Sequence, residues 1–427
     1  MSTVPAAFAR EQVLIHLLMA FIATGLIFML LPGTLVGVWN LFTISSEHAA
    51  DSASLAWVQA HGHAQLFGWI GSFILGIGFY STPNVRRVST FGFRQGWLCW
   101  GLWTAGVALR WIADMYSWQW RVLLPVSSLM ELLAVTLFLI QSARGHKLAL
   151  IVKRKIEPWA VLVLGGTAGL ALTVGFNVGE CLYLTAAAST PVFPRDVASR
   201  LLVLATWGFV VPIVWGFTAH WMLVFLGLRP TNQALLLSGF WTCVGGVAFS
   251  LAGWFLPGAT LILLGSFLAV VALRLFEPAE KPAKTAGVHP SFPAFVRLAY
   301  GWLIVAAFLS LWAAMAHGAA GIAGAGRHAL TVGFFSTMVF SVAPRILPAF
   351  MSRKQLFSSK LMLVSLSALT AGCLVRVVSQ IVAYQGYADW AWTVLPASAT
   401  LELLAFLAFG INMLGTMLQP PMLPRLQ

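Results

Sequence analysis

Charge is what this sequence has least of. Of 427 residues, 25 are Lys or Arg and 12 are Asp or Glu, 9% in all, against 59% hydrophobic residues. That ratio excludes an ordinary soluble domain, whose surface needs roughly a quarter of its residues charged. Cysteine is also scarce. The four present (Cys99, Cys181, Cys243, Cys373) are scattered and form no CxxC pair, which excludes a disulfide framework and a zinc ribbon. Alternation of apolar and polar residues with period two is missing, so the chain does not read as a β-barrel. No cleavable leader is visible, and the first apolar run reads as a retained helix.

What remains is apolar runs of about 20 residues, each long enough for a hydrocarbon core of about 30 Å. They predict an all-α, polytopic transmembrane bundle of about twelve helices, a single integral membrane domain over 1–427. The expected spans are 13–36, 57–80, 95–116, 119–141, 159–187, 201–227, 234–252, 256–276, 296–316, 328–348, 360–383 and 391–418. The net charge of +13 does not point to nucleic acid, because of where it sits. With loops placed alternately, one side collects the basic groups around Arg86, Arg144, Lys147, Lys153, Arg154, Lys281 and Lys354. The other side holds Arg121, Arg195, Arg200 and Arg327 among Glu47, Asp51, Asp114, Asp196 and Asp389. This is the positive-inside pattern with both termini cytoplasmic, and the basic loops contact anionic lipid.

Two stretches resemble each other. AGVALRW (105–111) parallels AGCLVRV (371–377), and LLPVSSLMELLA (123–134) parallels VLPASATLELLA (394–405). His61 precedes Arg110 by 49 residues, and His328 precedes Arg376 by 48. The chain therefore reads as repeat-like units at about 57–141, 201–276 and 328–418. Aligning the middle unit puts Val203 opposite His328, so that unit carries no histidine at this level.

The histidines themselves stand out. His61 and His63 lie in AHGHAQLFGW (60–69), near the start of helix 2, and His328 is expected at the start of helix 10. All three fall at similar depth under the outer surface. Two neutral imidazoles facing across a gap between helices can hold a haem iron axially. His61 and His63 are about 200° apart on a helix, so only one can face a given iron. The face of His61 continues through the small or polar Ala64, Gln65, Gly68 and Ser72, which favours it. The equal 20-residue spacings His63–Pro83 and His328–Pro348 favour His63 instead. The alternative for all three is an interfacial hydrogen bond. His317 is a candidate for a second metal, while His16, His48, His146, His220 and His289 read as packing or loop residues.

Arg110 and Arg376 lie within helices, where charge is costly. Haem propionates would satisfy them, as would ion pairs with Glu131 or Glu402, or snorkelling to the surface. Glu131 and Glu402 could relay protons or stand as neutral, hydrogen-bonded acids. Glu180, with Asn177, Cys181 and Tyr183, could line an outer cavity.

WVQAHGHAQLFGW (57–69) resembles the HxH…FG signature of the NnrS family, and HALTVGFFSTMVFSVAPRILPAF (328–350) resembles its later histidine helix. One departure is Ala64, which stands where that family often has Glu after the second histidine. The resemblance implies a bacterial inner-membrane protein carrying haem b and copper, with a part in nitric oxide metabolism or the nitrosative stress response. It implies His61, His63 and His328 as haem or metal ligands. An electron donor, quinol or an outer redox protein, goes with that reading. A more distant resemblance is to subunit I of haem–copper oxidases and nitric oxide reductases. Their catalytic centre needs a further histidine where Gly326 stands here, and copper ligands on helix 7, which has no His between Leu235 and Leu251. Two rival functions stay open: an oxidoreductase acting on nitric oxide, and a transporter of haem, metal or an anion, a class that internal repeats and buried charges fit.

Overall fold

The computed structural model describes residues 3–86, 92–151, 156–316 and 319–421. His317, Arg87, Lys153, Arg154 and Lys155 lie outside them, as do the side chains of Arg86, Arg144, His146 and Lys147. Twelve long helices make up the described residues: α1 (3–46), α2 (55–86), α3 (Phe93–Tyr116), α4 (Trp120–Ile151), α5 (Pro158–Ala187), α6 (195–226), α7 (Gln233–Leu251), α8 (Phe255–Leu273), α9 (Phe292–Met315), α10 (320–350), α11 (Ser359–Tyr384) and α12 (Trp390–Met417). Eleven are long and apolar enough to cross a membrane. The exception is α3, whose 24 residues equal α9 in length but carry Arg94, Arg110 and Asp114. At 1.5 Å per residue it also spans about 36 Å, enough for a bilayer core. The chain is a multi-pass membrane protein.

Several boundaries differ from expectation, and at α1 and α10 the sequence gives the cause. α1 does not stop near 36. Pro32 sits inside a wider π segment, Met29–Leu35, which accommodates it, and the helix continues to Ser46. Thr34 Oγ1 donates to the carbonyl of Met29, five residues back, 2.7 Å away, and so satisfies an acceptor in that widened turn. α10 begins at Ala320 rather than at His328, because the small residues of AGIAGAG allow a close-packed first two turns.

The same local construction recurs in α2, α6 and α10. Each opens with nine α-helical residues, Leu55–His63, Arg195–Val203 and Ala320–His328. Each then widens into a π segment: Ala64–Gly71, Leu204–Val210 and Ala329–Ser336. This register sets His63, Val203 and His328 at one position. The helix pairs after α2 and α10 also make one contact in common. A Cβ on Gly106 of α3 would come within 3.0 Å of Glu131 Cγ on α4, and one on Gly372 of α11 within 2.9 Å of Glu402 Cγ on α12. The glycines let these helices touch at the level of the acids.

Beyond the histidine level, the centre of the bundle is a buried aromatic core. Trp69 of α2 meets Phe340 of α10 and Phe406 of α12 edge-on, and Phe340 stacks on Phe409 at 4.0 Å. Tyr300 of α9 is fully buried and donates its hydroxyl to Thr218 of α6 at 2.7 Å. Polar side chains of the candidate site thus gather at one end of the bundle, above this core.

Candidate haem site

His61 points at α1. Gly33 and Gly37 are four residues apart on α1 and leave a groove there. A Cβ on Gly33 would meet Gln65 Nε2 at 2.6 Å, and one on Gly37 would meet His61 Cε1 at 2.6 Å. The groove therefore holds the Gln65 amide and the His61 ring side by side. His61 Nδ1 lies 2.8 Å from the Gly33 carbonyl. A carbonyl only accepts, so Nδ1 carries the proton and donates, and the Nε2 lone pair is left for another group. His328 is fixed the same way by its own helix: Nδ1 lies 3.0 Å from the Gly324 carbonyl. His328 lies within electrostatic reach of His61, and Arg376 within reach of both.

His63 faces another way. Its Nε2 is 2.8 Å from Glu131 Oε1 of α4, and its ring stacks on Phe67 at 4.4 Å. From Glu131 a chain of partners continues through α5 and α3. Asn177 Nδ2 donates to Glu131 Oε2 at 3.3 Å, and Arg110 donates to Asn177 Oδ1 and Cys181 Sγ, each at 3.3 Å. Arg110 Nε donates to Asp114 Oδ2 at 2.7 Å, and the guanidinium lies over the Phe193 ring at 4.5 Å. Arg110 is only 2% exposed. The expected outer-loop position of Asp114 is corrected here. α3 runs on to Tyr116, and Asp114, one turn after Arg110, is buried as its ion-pair partner. Of the residues grouped around Glu180, Asn177 and Cys181 face this network, whereas Tyr183 is exposed.

The counterpart on the other side of the bundle is built alike and satisfied differently. Arg376 of α11 is 8% exposed, yet among the described residues its Nε and Nη1 find no acceptor. One turn on, where α3 has Asp114, α11 has Gln380, whose Oε1 has no donor. Glu402 Oε1 is likewise unpartnered. A buried polar group without a partner costs on the order of 1–3 kcal/mol, and a charged one more. Arg110 and Arg376 are thus equivalent in place and opposite in state. Arg376 is within electrostatic reach of both histidines, whose Nε2 atoms make no hydrogen bond among the described residues.

This donor set fits a haem. Two imidazoles with Nδ1 pinned could offer Nε2 to an iron, and unpaired Arg N–H groups suit carboxylate side arms. Arg327 adds a second positive charge close to Arg376 and His328. A copper ion finds less here. Among the described residues no group of three His, Cys, Asp or Glu side chains could hold a metal ion. The other histidines stand apart. His220 stacks on Trp159 at 4.1 Å towards the far end of α6, His48 stacks on Trp392, and His289 bonds Ser291.

Sequence reasoning missed Asp114 as the partner of Arg110, and missed Gly33, Gly37 and Gln380 altogether. The Arg-plus-four spacing was visible for both Asp114 and Gln380. The glycines of α1 carried no signal, because nothing in the sequence says which helix faces α2.

The fold has a solved counterpart. A haem–copper terminal oxidase dimer determined by electron cryo-microscopy superimposes with a TM-score of 0.70 at 11% identity, covering 96% of this chain and 85% of that one. The polytopic bundle is thus the fold of that oxidase. No curated protein matches the chain. The family model of DUF8744, a domain of unknown function, matches residues 183–416, more than half of the sequence, and the chain belongs to that family.

Proposed function

We propose that this protein binds haem b between His61 and His328 and serves nitric oxide metabolism or the nitrosative stress response in a bacterial inner membrane. The observation that carries the reading is the pair of pinned imidazoles beside an unpaired, buried Arg376. In this reading the Gly33 and Gly324 carbonyls fix ring tautomer and aim, and Arg376, with Arg327, holds the propionates. His63 and Arg110 stay outside the cofactor site, because Glu131, Asp114 and Asn177 already engage them. A haem held here by His61 and His328 would supply one-electron redox chemistry and a binding position for a diatomic gas. The nitric oxide part rests on the likeness of Trp57–Trp69 to NnrS proteins and on no contact in the structure. The histidine end is the outer one on the positive-inside pattern of the basic loops.

The test is the visible spectrum of detergent-purified protein, oxidised and reduced, with and without nitric oxide. A b-type spectrum that survives His63→Ala but is lost in His61→Ala and His328→Ala supports the reading. Haem indifferent to all three substitutions, or no haem at all, overturns it and turns attention to transport.

A further inference from the structure

We propose that Glu402 is a second seat for the His328 imidazole, which makes His328, not His61, the exchangeable member of the histidine pair. The first repeat unit supplies the template. His63 and His328 each end a nine-residue opening segment, directly before the widened turns of α2 and α10. Glu131 and Glu402 each pack on a glycine of the preceding helix, Gly106 and Gly372. Between α2 and α4 the equivalent groups are bonded: His63 Nε2 lies 2.8 Å from Glu131 Oε1. An imidazole at this register thus reaches the acid two helices on.

His328 and Glu402 depart from that template. The His328 ring rests on its own helix through the Gly324 carbonyl, and Glu402 Oε1 has no partner among the described residues. The two are nonetheless neighbours. Glu402 lies against Gly372, and the next residue, Cys373, donates its thiol to the His328 carbonyl at 3.9 Å. Arg376 acts electrostatically on both. The His328 ring also lacks a lock. Phe67, four residues after His63, stacks on that ring, whereas Val332 stands four residues after His328. A helical residue has two χ1 wells open to it, so the move asks for a side-chain rotation only. With Glu402 in its acid form, the carboxyl O–H donates to His328 Nε2, and a buried donor and a buried acceptor satisfy each other.

His61 has no such alternative. α1 closes over it: a Cβ on Gly37 would come within 2.6 Å of its Cε1, and its Nδ1 is 2.8 Å from the Gly33 carbonyl. Gln65, one turn on, fills the rest of the groove, its amide bonded to the Met29 carbonyl and the Thr34 hydroxyl. Moving His61 means moving α1, whereas moving His328 means turning one ring. The second seat stands on the chain's own residues. Its consequence rests on the haem reading: a small neutral ligand would gain access on the α10 side, and Glu402 would set how readily. Glu402 is in that sense a positioning residue, acting through His328.

The seat is read without haem and its consequence with it. The full chain is labelled with nitrogen-15 histidine and held haem-free in nanodiscs. Glu402→Leu should then shift the imidazole nitrogen signals of His328 and leave those of His61 in place, with His328→Ala and His61→Ala assigning the signals. Glu402→Gln carries no charge but keeps an N–H donor for Nε2, so it should hold the His328 signals near their original positions. In haem-loaded, reduced protein, Glu402→Leu should weaken carbon monoxide binding at least about tenfold, or about 1.4 kcal/mol, and Glu402→Gln should restore it. Glu131→Leu, the same change in the first unit, should leave carbon monoxide affinity alone. Circular dichroism checks that each variant is folded. His328 signals indifferent to Glu402→Leu, or shifted equally by both Glu402 substitutions, overturn the second seat. Carbon monoxide affinity unchanged in Glu402→Leu overturns its consequence. A His328 response in protein that takes up no haem would refute the haem reading and leave the second seat standing. Haem uptake without that response would do the reverse.

Discussion

Replacing Arg110 and Arg376 by methionine should move stability in opposite directions. Both are buried arginines in equivalent places, one turn before Asp114 and Gln380. Arg110→Met removes the cation from between Asp114, Asn177 and Cys181 and leaves a buried carboxylate without its partner. Breaking one side of a buried pair costs about 3–5 kcal/mol. Arg376→Met removes a buried cation whose Nε and Nη1 bond to nothing. It deletes an unmet desolvation cost and keeps much of the packing, so haem-free protein should gain about 1–3 kcal/mol. Reversible unfolding by SDS in mixed micelles, on haem-free protein, gives both values. The order should then invert in loaded protein, where Arg376→Met weakens haem retention while Arg110→Met leaves the spectrum in place. Equal destabilisation by both substitutions in haem-free protein would refute the claim that the two arginines differ in state.

Three further outcomes follow from the same geometry. Gly37→Ala drives a methyl to within 2.6 Å of the His61 ring and should abolish or shift the haem spectrum, whereas Gly101→Ala, with open space around it, should change neither spectrum nor stability by more than about 0.5 kcal/mol. His63→Ala should keep the spectrum but destabilise the fold by about 1–3 kcal/mol, read in the same SDS titration, because Glu131 loses its partner at 2.8 Å. Gln59 donates to and accepts from the Phe193 backbone at 2.9 and 3.0 Å, so Gln59→Ala should cost about 1–2 kcal/mol and speed hydrogen exchange in the 188–194 loop.

Helix number and order were legible because membrane helices need long apolar runs, and the runs are there. The depth of the histidines was legible for the same reason. The likeness of α3–α4 to α11–α12 was legible in AG…R and in the spaced Pro and Glu. The different surroundings of His61 and His63 were half legible. Small residues beside His61 marked a face that tolerates close approach, but Glu131 as the partner of His63 needed the crossing of α2 and α4. Hidden from the sequence were contacts between distant segments: the α1 glycines under His61, and Asn177 and Cys181 closing round Arg110. The contrast between a saturated Arg110 and an unpaired Arg376 was hidden too, because it depends on what α5 brings to one and nothing brings to the other.

The widened segments of α2, α6 and α10 bear on how the protein tolerates change. Each begins directly after the ninth residue and holds at least one residue more than an α-helix would over the same rise. Above it the side chains keep one angular phase, and below it they keep another. Removing a single residue from Ala64–Gly71 would let α2 relax to regular pitch and turn everything on one side by about 100° against the other. His61 could keep its seat on Gly33, but Trp69 and Phe73 would then face lipid, or the core would hold and His61 would swing away. Single-residue deletions there should therefore be far more damaging than substitutions, and the same should hold in α10.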